Sequence, residues 1–557
     1  MSIQFPWIKK YPKQVSETIG ALDHSSLSEL FSAASARYGS KVAFENMGVT
    51  LTFKEVERLS DAFAAYLQNT LNLKKGERIA IQMPNLLQFP IAFIGSLKAG
   101  LIVVNTNPLY TPREMEHQFR DAGISAIVIV ENFAASLEAI REKVPARHII
   151  VTSMGDMLGL KGLLVNFVVR KIKKLVPEFS LPGSISFRDA LSKGLKQTLI
   201  KPEINPEDVA VLQYTGGTTG ISKGAQLSNR NLIAHNLMIS NWFKPYLEKG
   251  RADIMITALP LYHIFALTVN GVLMYYSGVK NVLITNPRDI PGFIKELRKH
   301  KFTILTGVNT LFNGLLNNPE FAKCDFSSLH GAIGGGMAVQ DAVAARWKQV
   351  TGKPLVEGYG LSETSPVVCC NPLDGTERRG TIGLPVPSTE VAIFNDDGQQ
   401  LNGGETGEIC VRGPQVMRGY WEKDNQGVFF GEWFRTGDIG LMDADGFFKI
   451  VDRKKDMIKV SGFNVFPNEI ENVLAGHPKV LEVAAIGLPD EKSGETIKVF
   501  IVKKDQSLTE PEVRDYCHQN LTNYKVPKYI EFKKELPKSN VGKILRRELK
   551  EAETKKS

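Results

Sequence analysis

Val209-Ala-Val-Leu212 runs into Tyr214-Thr-Gly-Gly-Thr-Thr-Gly-Ile-Ser-Lys-Gly224, and this stretch decides how the rest of the chain is read. An apolar strand feeds a loop of glycines, hydroxyl side chains and one lysine. Glycines let backbone N–H groups approach phosphate oxygens, hydroxyls donate further bonds, and the lysine adds charge. The loop is not the P-loop G-x-x-x-x-G-K-[ST], because Lys223 is followed by Gly224. Gly220-Ile-Ser-Lys-Gly224 also fits the G-x-S-x-G elbow, which would make Ser222 the nucleophile of an ester or thioester hydrolase. The alternating glycines and threonines of Thr215–Gly220 already have a phosphate rationale, so the phosphate reading is preferred.

Outward from this loop, helical and strand-like patterns alternate. Leu51 to Asn69 places Val56, Leu59, Phe63 and Leu67 at helical spacing, which predicts one apolar face. Arg78 to Pro84 reads as a short strand, Pro90 to Lys98 as a helix and Gly100 to Val104 as a buried strand; Ile124 to Val130 and His148 to Thr152 repeat the theme. Such alternation predicts an α/β fold with largely parallel sheets. Near Gly380 the texture changes. Asn395-Asp-Asp-Gly398, Asn402-Gly-Gly404 and Asp443-Ala-Asp-Gly446 are turn signals between short apolar runs such as Glu408 to Val411, predicting a β-rich subdomain over about 380–451. The basic stretch Asp452-Arg-Lys-Lys-Asp456 precedes a second mixed pattern. The expected organisation is a large N-terminal domain of layered α/β sheets, residues 1–451, and a small mobile C-terminal α+β domain, residues 452–557.

The chain has 557 residues and a net charge of +9, with 43% hydrophobic and 23% charged residues, which excludes a disordered or fibrous protein. Cys324, Cys369, Cys370, Cys410 and Cys517 form no CxxC pair and match neither a zinc site nor a disulfide framework, so a reducing compartment fits. Met1 to Gln14 lacks an apolar signal core. The longest apolar run, Ile91 to Val104, is broken by Lys98 and falls short of the ~18 residues of a membrane span. Lys555-Lys556-Ser557 is no peroxisomal address. A cytoplasmic protein is expected. The basic excess is compatible with an anionic small ligand or a membrane surface; no nucleic-acid partner is expected.

Tyr214–Gly224 resembles the phosphate loop of the acyl-adenylate-forming superfamily, which includes acyl-CoA ligases, luciferases and peptide-synthetase adenylation domains. Further blocks follow in that family's order: Leu259-Pro-Leu-Tyr-His263, Gly334-Gly-Gly336, Gly358-Tyr-Gly-Leu-Ser-Glu363, Trp433-Phe-Arg-Thr-Gly-Asp438, Asp452 to Gly462, and Asn540-Val-Gly-Lys543. Val460 to Glu469 and Leu536 to Lys543 look most like bacterial long-chain fatty acyl-CoA ligases. The resemblance implies a two-step reaction dependent on Mg²⁺. A fatty acid and ATP give acyl-AMP and pyrophosphate; the CoA thiol then displaces AMP.

Residue by residue, the resemblance places Tyr214, Thr215, Gly216, Gly217, Thr218, Thr219, Gly220 and Lys223 at the phosphates. Gly336, Gly358 and Tyr359 would wall the adenine, Gly360 and Ser362 would belong to the same ATP/AMP site, and Asp438 and Arg453 would hold the ribose. The family usually has Thr where this chain has Ser362; the hydroxyl survives. Thr215 and Glu363 would flank the metal, and His263 would line the acyl pocket. Lys543 would bridge carboxylate and α-phosphate, Lys455 would be the hinge, and Lys459, Ser461 and Gly462 would serve the CoA step.

Each assignment has its own chemical reading. Joining a carboxylate to a phosphate brings two anions together, so positive charge is needed where negative charge accumulates. Glu363 follows a glycine-rich turn and suits a metal. Asp438, in a turn-like Thr-Gly-Asp, can accept from both ribose hydroxyls. His263 lies in the apolar stretch Ala258 to Ala266 and reads equally as a packed core residue or a pocket wall; His235 reads as structural. Three alternatives stay open: a medium-chain or aromatic acid, an acyl-AMP ligase serving a carrier protein, and a serine hydrolase using Ser222. A homodimer is compatible with everything above.

Met157 to Val176 lies outside these blocks. On a helical wheel Leu164, Val165, Val168, Val169, Ile172, Leu175 and Val176 share one face, with Asn166, Arg170, Lys173 and Lys174 opposite. A basic amphipathic helix of this kind suits a peripheral membrane contact through 157–176, or packing on its own domain.

Overall fold

The computed structural model describes residues 5–216, 222–246, 253–490, 492–539 and 542–554. Helices begin where the sequence supplies caps. Thr52 and Glu55 form a reciprocal capping box ahead of Phe53–Asn69, whose Val56, Leu59, Phe63 and Leu67 are all buried. Thr111 and Glu114 do the same for Pro112–Ala122, and left-handed Gly123 ends that helix. Gly95 lets Gln88–Lys98 lie against Phe53–Asn69, since a Cβ there would meet the Ser60 carbonyl at 2.8 Å.

These elements build two large sheets. One runs in the order Ile185–Ser186, His148–Thr152, Ala126–Val130, Arg78–Gln82, Ile102–Asn105, Val209–Gly216, Ser222–Ser228, parallel except for the last pair. The other has nine strands, from Leu384–Pro385 through Val367–Cys370, Leu355–Gly360, Gly331–Gly334 and Ile304–Gly307 to Val49–Thr52 at the far edge. The parallel strands are buried along their length, as sheets covered on both faces must be. A five-stranded antiparallel sheet follows, built on Glu390–Phe394, Gly407–Arg412, Trp433–Met442 and Phe448–Arg453. The last sheet joins Ile458–Val460, Phe463–Val465, Val480–Asp490, Gly494–Lys503 and Tyr529–Lys533, and with its helices forms a C-terminal α+β domain with a core of its own. All five cysteines are free and buried.

Two local readings are corrected. Ser222 begins a strand paired antiparallel to Val209–Gly216, with Ser222 opposite Gly216, and the helix starts only at Asn229. An elbow requires a sharp strand-to-helix turn at the serine; here the serine lies within a hairpin. Asp438 is not in a turn but in the ten-residue strand Trp433–Met442. Left-handed Gly437 and a register shift after Ile439 accommodate the Thr-Gly-Asp sequence inside the ladder.

The Met157–Val176 face also differs. Gly159–Phe167 is α-helical, but Val168–Ile172 is a π turn, whose i→i+5 spacing rotates the wheel. Val169 is buried, and Val165 packs on the core. Leu160, Leu163, Leu164, Phe167, Ile172 and Leu175 are between 52% and 88% exposed. Arg170 is not a free surface charge: its guanidinium pairs with buried Glu131 at 2.7 Å and donates to Ser153 Oγ at 2.7 Å. Among the described residues, no helix is long and apolar enough to cross a membrane.

Candidate active site

The site forms where the nine-stranded sheet, the antiparallel sheet and the C-terminal domain converge. Tyr359, near the end of Leu355–Gly360, donates its hydroxyl to Asp438 Oδ2 at 2.6 Å. Arg453 pairs through Nε with Asp438 Oδ1 at 2.8 Å, across a strand pairing that sets the two residues opposite each other. Asp438 is thereby aimed from both sides, and burial pushes the Tyr359 phenol well above its ordinary value, so it stays a donor. Gly360 is obligatory here: a Cβ would lie 1.9 Å from the Pro366 carbonyl. Gly336 has a left-handed φ of 76° and open space on its Cβ side, whereas a Cβ on Gly358 would sit in ordinary van der Waals contact, 3.6 Å from Ile333 Cγ2.

Glu363 lies in the short 3₁₀ turn Ser362–Thr364, with Ser362 half-buried beside it. The strand bearing Tyr214, Thr215 and Gly216 packs against this turn. Burial raises the Glu363 carboxyl above its usual range, opposed by the Tyr420 hydroxyl, which donates to Oε1 at 2.7 Å. A carboxylate this enclosed favours a cation to remain ionised, and an all-oxygen pair of Glu363 and the Thr215 hydroxyl suits hard Mg²⁺. The residues present therefore fit the ion. Glu45, Glu296 and His300 form another cluster of metal-ligating type, but near the far edge of the nine-stranded sheet, where Lys280 and Lys299 already neutralise it.

The strand that leads into the Gly-Thr loop is braced from outside. Tyr214 donates to Asp121 Oδ2 at 2.8 Å, and Lys423 pairs with the other oxygen of Asp121. Lys223 lies over the Tyr420 ring at 5.3 Å. Gly217, Thr218, Thr219 and Gly220 lie outside the described residues, as do Asn540 and Val541.

Lys543 reaches this cleft from the C-terminal domain. Its turn is closed by the Ser539 amide donating to the Lys543 carbonyl at 2.7 Å and the Lys543 amide donating to Ser539 Oγ at 3.1 Å. Burial, then the charge of Arg453, push its ammonium down to about 8, while Asp438 pulls the other way. Burial, helped by the charge of Lys543, depresses His263 to about 4, which leaves that imidazole neutral. His235 is fully buried and likewise neutral, depressed by burial to about 3; its Nε2 accepts from the Val367 amide at 3.2 Å.

Lys455, Lys459, Ser461 and Gly462 are not drawn into this cluster. They are exposed, Lys455 in the turn after Phe448–Arg453 and the others on and around the Ile458–Val460 hairpin. Two contributors escaped the sequence reading. Tyr420 sits in a loop without motif character. Asp452 has its backbone in the antiparallel ladder opposite Ile439, yet its side chain accepts from Arg546 at 3.2 Å and from the Asn468 amide at 2.9 Å, both in the C-terminal domain.

A glycine-lined cleft that gathers an aspartate held on both oxygens, an enclosed carboxylate and a lysine from the C-terminal domain has the layout of an adenylate-forming enzyme. The AMP-binding enzyme model matches residues 31–421 and the AMP-binding enzyme C-terminal domain model matches 469–543, so the chain belongs to the AMP-binding enzyme family. It is 56% identical to a long-chain-fatty-acid–CoA ligase of Escherichia coli O157:H7, covering 98% of both chains. The corresponding Bacillus subtilis ligase is 39% identical, covering 100% of this chain and 99% of that one. Among solved structures, an anthranilate CoA ligase bound to anthranoyl-AMP superposes with a TM-score of 0.83 at 27% identity, covering 95% of this chain and 97% of that one. A Mycobacterium tuberculosis fatty acyl CoA synthetase gives 0.69 at 26%, covering 95% and 99%.

Proposed function

We propose that the chain is a long-chain fatty acid–CoA ligase that makes acyl-AMP from a fatty acid and ATP, then acyl-CoA from acyl-AMP and CoA. The observation that carries this is the convergence of Glu363, Asp438, Arg453 and Lys543 on one cleft, in a chain 56% identical to ligases of that name. Asp438, held by Tyr359 and Arg453, would take the ribose hydroxyls. Lys543 would stabilise the charge that builds between carboxylate and α-phosphate. Mg²⁺ held by Glu363 and Thr215 would supply further positive charge at the phosphates. Neutral His263 would line the acyl chain without setting a charge against it.

Pyrophosphate departure and thiol entry make incompatible demands on one geometry. Rotation of the C-terminal domain, residues 452–557, about Lys455 would resolve this, withdrawing Lys543 and bringing Lys459, Ser461 and Gly462 inward. The exposure of those residues supports that reading. The test is acid-dependent conversion of ATP to AMP across chain lengths, with and without CoA. Each buried CH₂ contributes roughly 0.8 kcal/mol, so efficiency should rise about fourfold per methylene and then flatten. A preference for acetate over palmitate would remove the long-chain assignment.

The exposed apolar ridge of Leu160, Leu163, Leu164 and Phe167, with Lys171, Lys173 and Lys174 beside it, favours a peripheral contact with an anionic membrane surface, where free fatty acid partitions. Leu163→Ser with Phe167→Ser, and separately Lys171→Glu with Lys174→Glu, should release the protein from vesicles containing phosphatidylglycerol. Unchanged co-sedimentation in both would refute the contact.

A further inference from the structure

The helix Asn309–Leu316 has two dissimilar faces. Leu311, Phe312, Leu315 and Leu316 are buried in the core. Thr310 and Asn313, three apart on the opposite side, are half-buried and bond to the C-terminal domain. Thr310 Oγ1 donates to the Gly542 carbonyl at 2.9 Å, and Asn313 Nδ2 donates to the Leu481 carbonyl at 3.1 Å.

The turn just before Lys543 is shaped to this helix. Gly542 has a left-handed φ of 83°, and a Cβ there would stand 2.7 Å from Thr310 Oγ1 and 3.1 Å from Val308 Cγ2. At the same N-terminal end, beside Thr310, the helix is tied to the glycine wall of the nucleotide cleft. The Gly335 amide donates to the Gly307 carbonyl at 3.1 Å, directly before the helix, and Asn309 exchanges two 3.0 Å bonds with Gln340. Contacts therefore run without a gap from the adenine side of the cleft through this helix to Lys543.

We propose that Thr310 and Asn313 are positioning residues that clasp the Lys543 turn in the adenylating orientation and release it for thioester formation. This rests on the reading of Lys543 and of domain rotation given above. Neither residue touches substrate; each biases the balance between two orientations of one domain. Their acceptors are half-exposed backbone carbonyls, so removing a donor leaves a group that water can serve, and only the bond itself is lost. A single bond of this kind shifts a two-state balance roughly two- to tenfold.

The experiment measures the half-reactions separately in full-length Thr310→Val, Asn313→Ala and the double variant. One assay reads pyrophosphate release from palmitate and ATP without CoA; the other reads palmitoyl-CoA formation from supplied palmitoyl-AMP and CoA. The ratio of thioester formation to adenylation should rise about threefold or more in each single variant and further in the double. Thr310→Ser should restore the wild-type ratio. An unchanged ratio, or an equal decline of both half-reactions in Asn313→Ala, overturns the clasp. Lys543→Ala in parallel separates the failures: if it cripples adenylation while the helix variants leave the ratio alone, only the clasp is wrong. If it spares adenylation, the assignment of Lys543 itself fails.

Discussion

Lys543 should give acyl-adenylate formation an alkaline limb that the second half-reaction lacks. Its ammonium titrates near 8 rather than at the ordinary 10.5, first because it is buried and then because Arg453 is close. That difference corresponds to roughly 3 kcal/mol against the charged form. The charged form is present below pH 8 and is lost above it. In the free enzyme about nine-tenths of Lys543 would be cationic at pH 7 and about one-tenth at pH 9. Since kcat/KM reports the free enzyme, kcat/KM for ATP in CoA-independent pyrophosphate release should fall about tenfold per pH unit above 8. At saturating ATP the phosphates favour the cation, so kcat should hold to higher pH. Thioester formation from supplied acyl-AMP should instead rise over the same range, because the CoA thiolate becomes more abundant. Lys543→Arg keeps its charge throughout and should abolish the limb, whereas Lys543→Ala should lose ~10²–10³ in adenylation at every pH. A limb that persists in Lys543→Ala, or appears equally in both half-reactions, would refute the role assigned to this lysine.

Lys455→Pro stiffens the proposed hinge and should slow thioester formation at least tenfold while leaving pyrophosphate release near wild type; equal impairment of both would argue against rotation there. Glu363→Gln removes the enclosed carboxylate, and the Mg²⁺ concentration for half-maximal adenylation should rise about tenfold or more. An unchanged Mg²⁺ dependence would take Glu363 out of the metal site. Gly360→Ala forces a Cβ against the Pro366 carbonyl and should lower Tm and weaken AMP binding in calorimetry; a variant with wild-type values for both would show that the backbone there yields.

How much of this was legible depends on how local the cause is. The helix Phe53–Asn69 and the strand His148–Thr152 follow from periodicity and caps that are written in adjacent residues. Asp438 was recognisable by its block, but its strand conformation was not, because glycine before aspartate signals a turn unless a ladder on both sides absorbs the left-handed residue. The exposed face of Met157–Val176 escapes a helical wheel for a related reason: a wheel assumes 3.6 residues per turn, and Val168–Ile172 departs from it. Arg170 then turned inward toward Glu131, a partner 39 residues away that no local pattern announces. Tyr420, 57 residues from Glu363, and Thr310, 232 from Gly542, are of the same kind. Their roles arise only from the packing of separate domains and loops, and their side chains are chemically unremarkable.

The burial of every cysteine acquires a different meaning once the chemistry is in view. An acyl-adenylate is a mixed anhydride that will acylate any available thiolate, and the enzyme must hold it until one particular thiol arrives. Cys324 and Cys517 are pushed up to about 11 by burial, Cys370 and Cys410 to about 12, and burial also holds Cys369 well above its ordinary value. None offers a thiolate at neutral pH, and none is exposed to a reactive intermediate. The protein thus keeps its own sulfur out of competition with coenzyme A, so that chemoselectivity comes from the interior of the fold as well as from the active site: self-acylation and mixed-disulfide formation are suppressed at five positions where a surface cysteine would invite them.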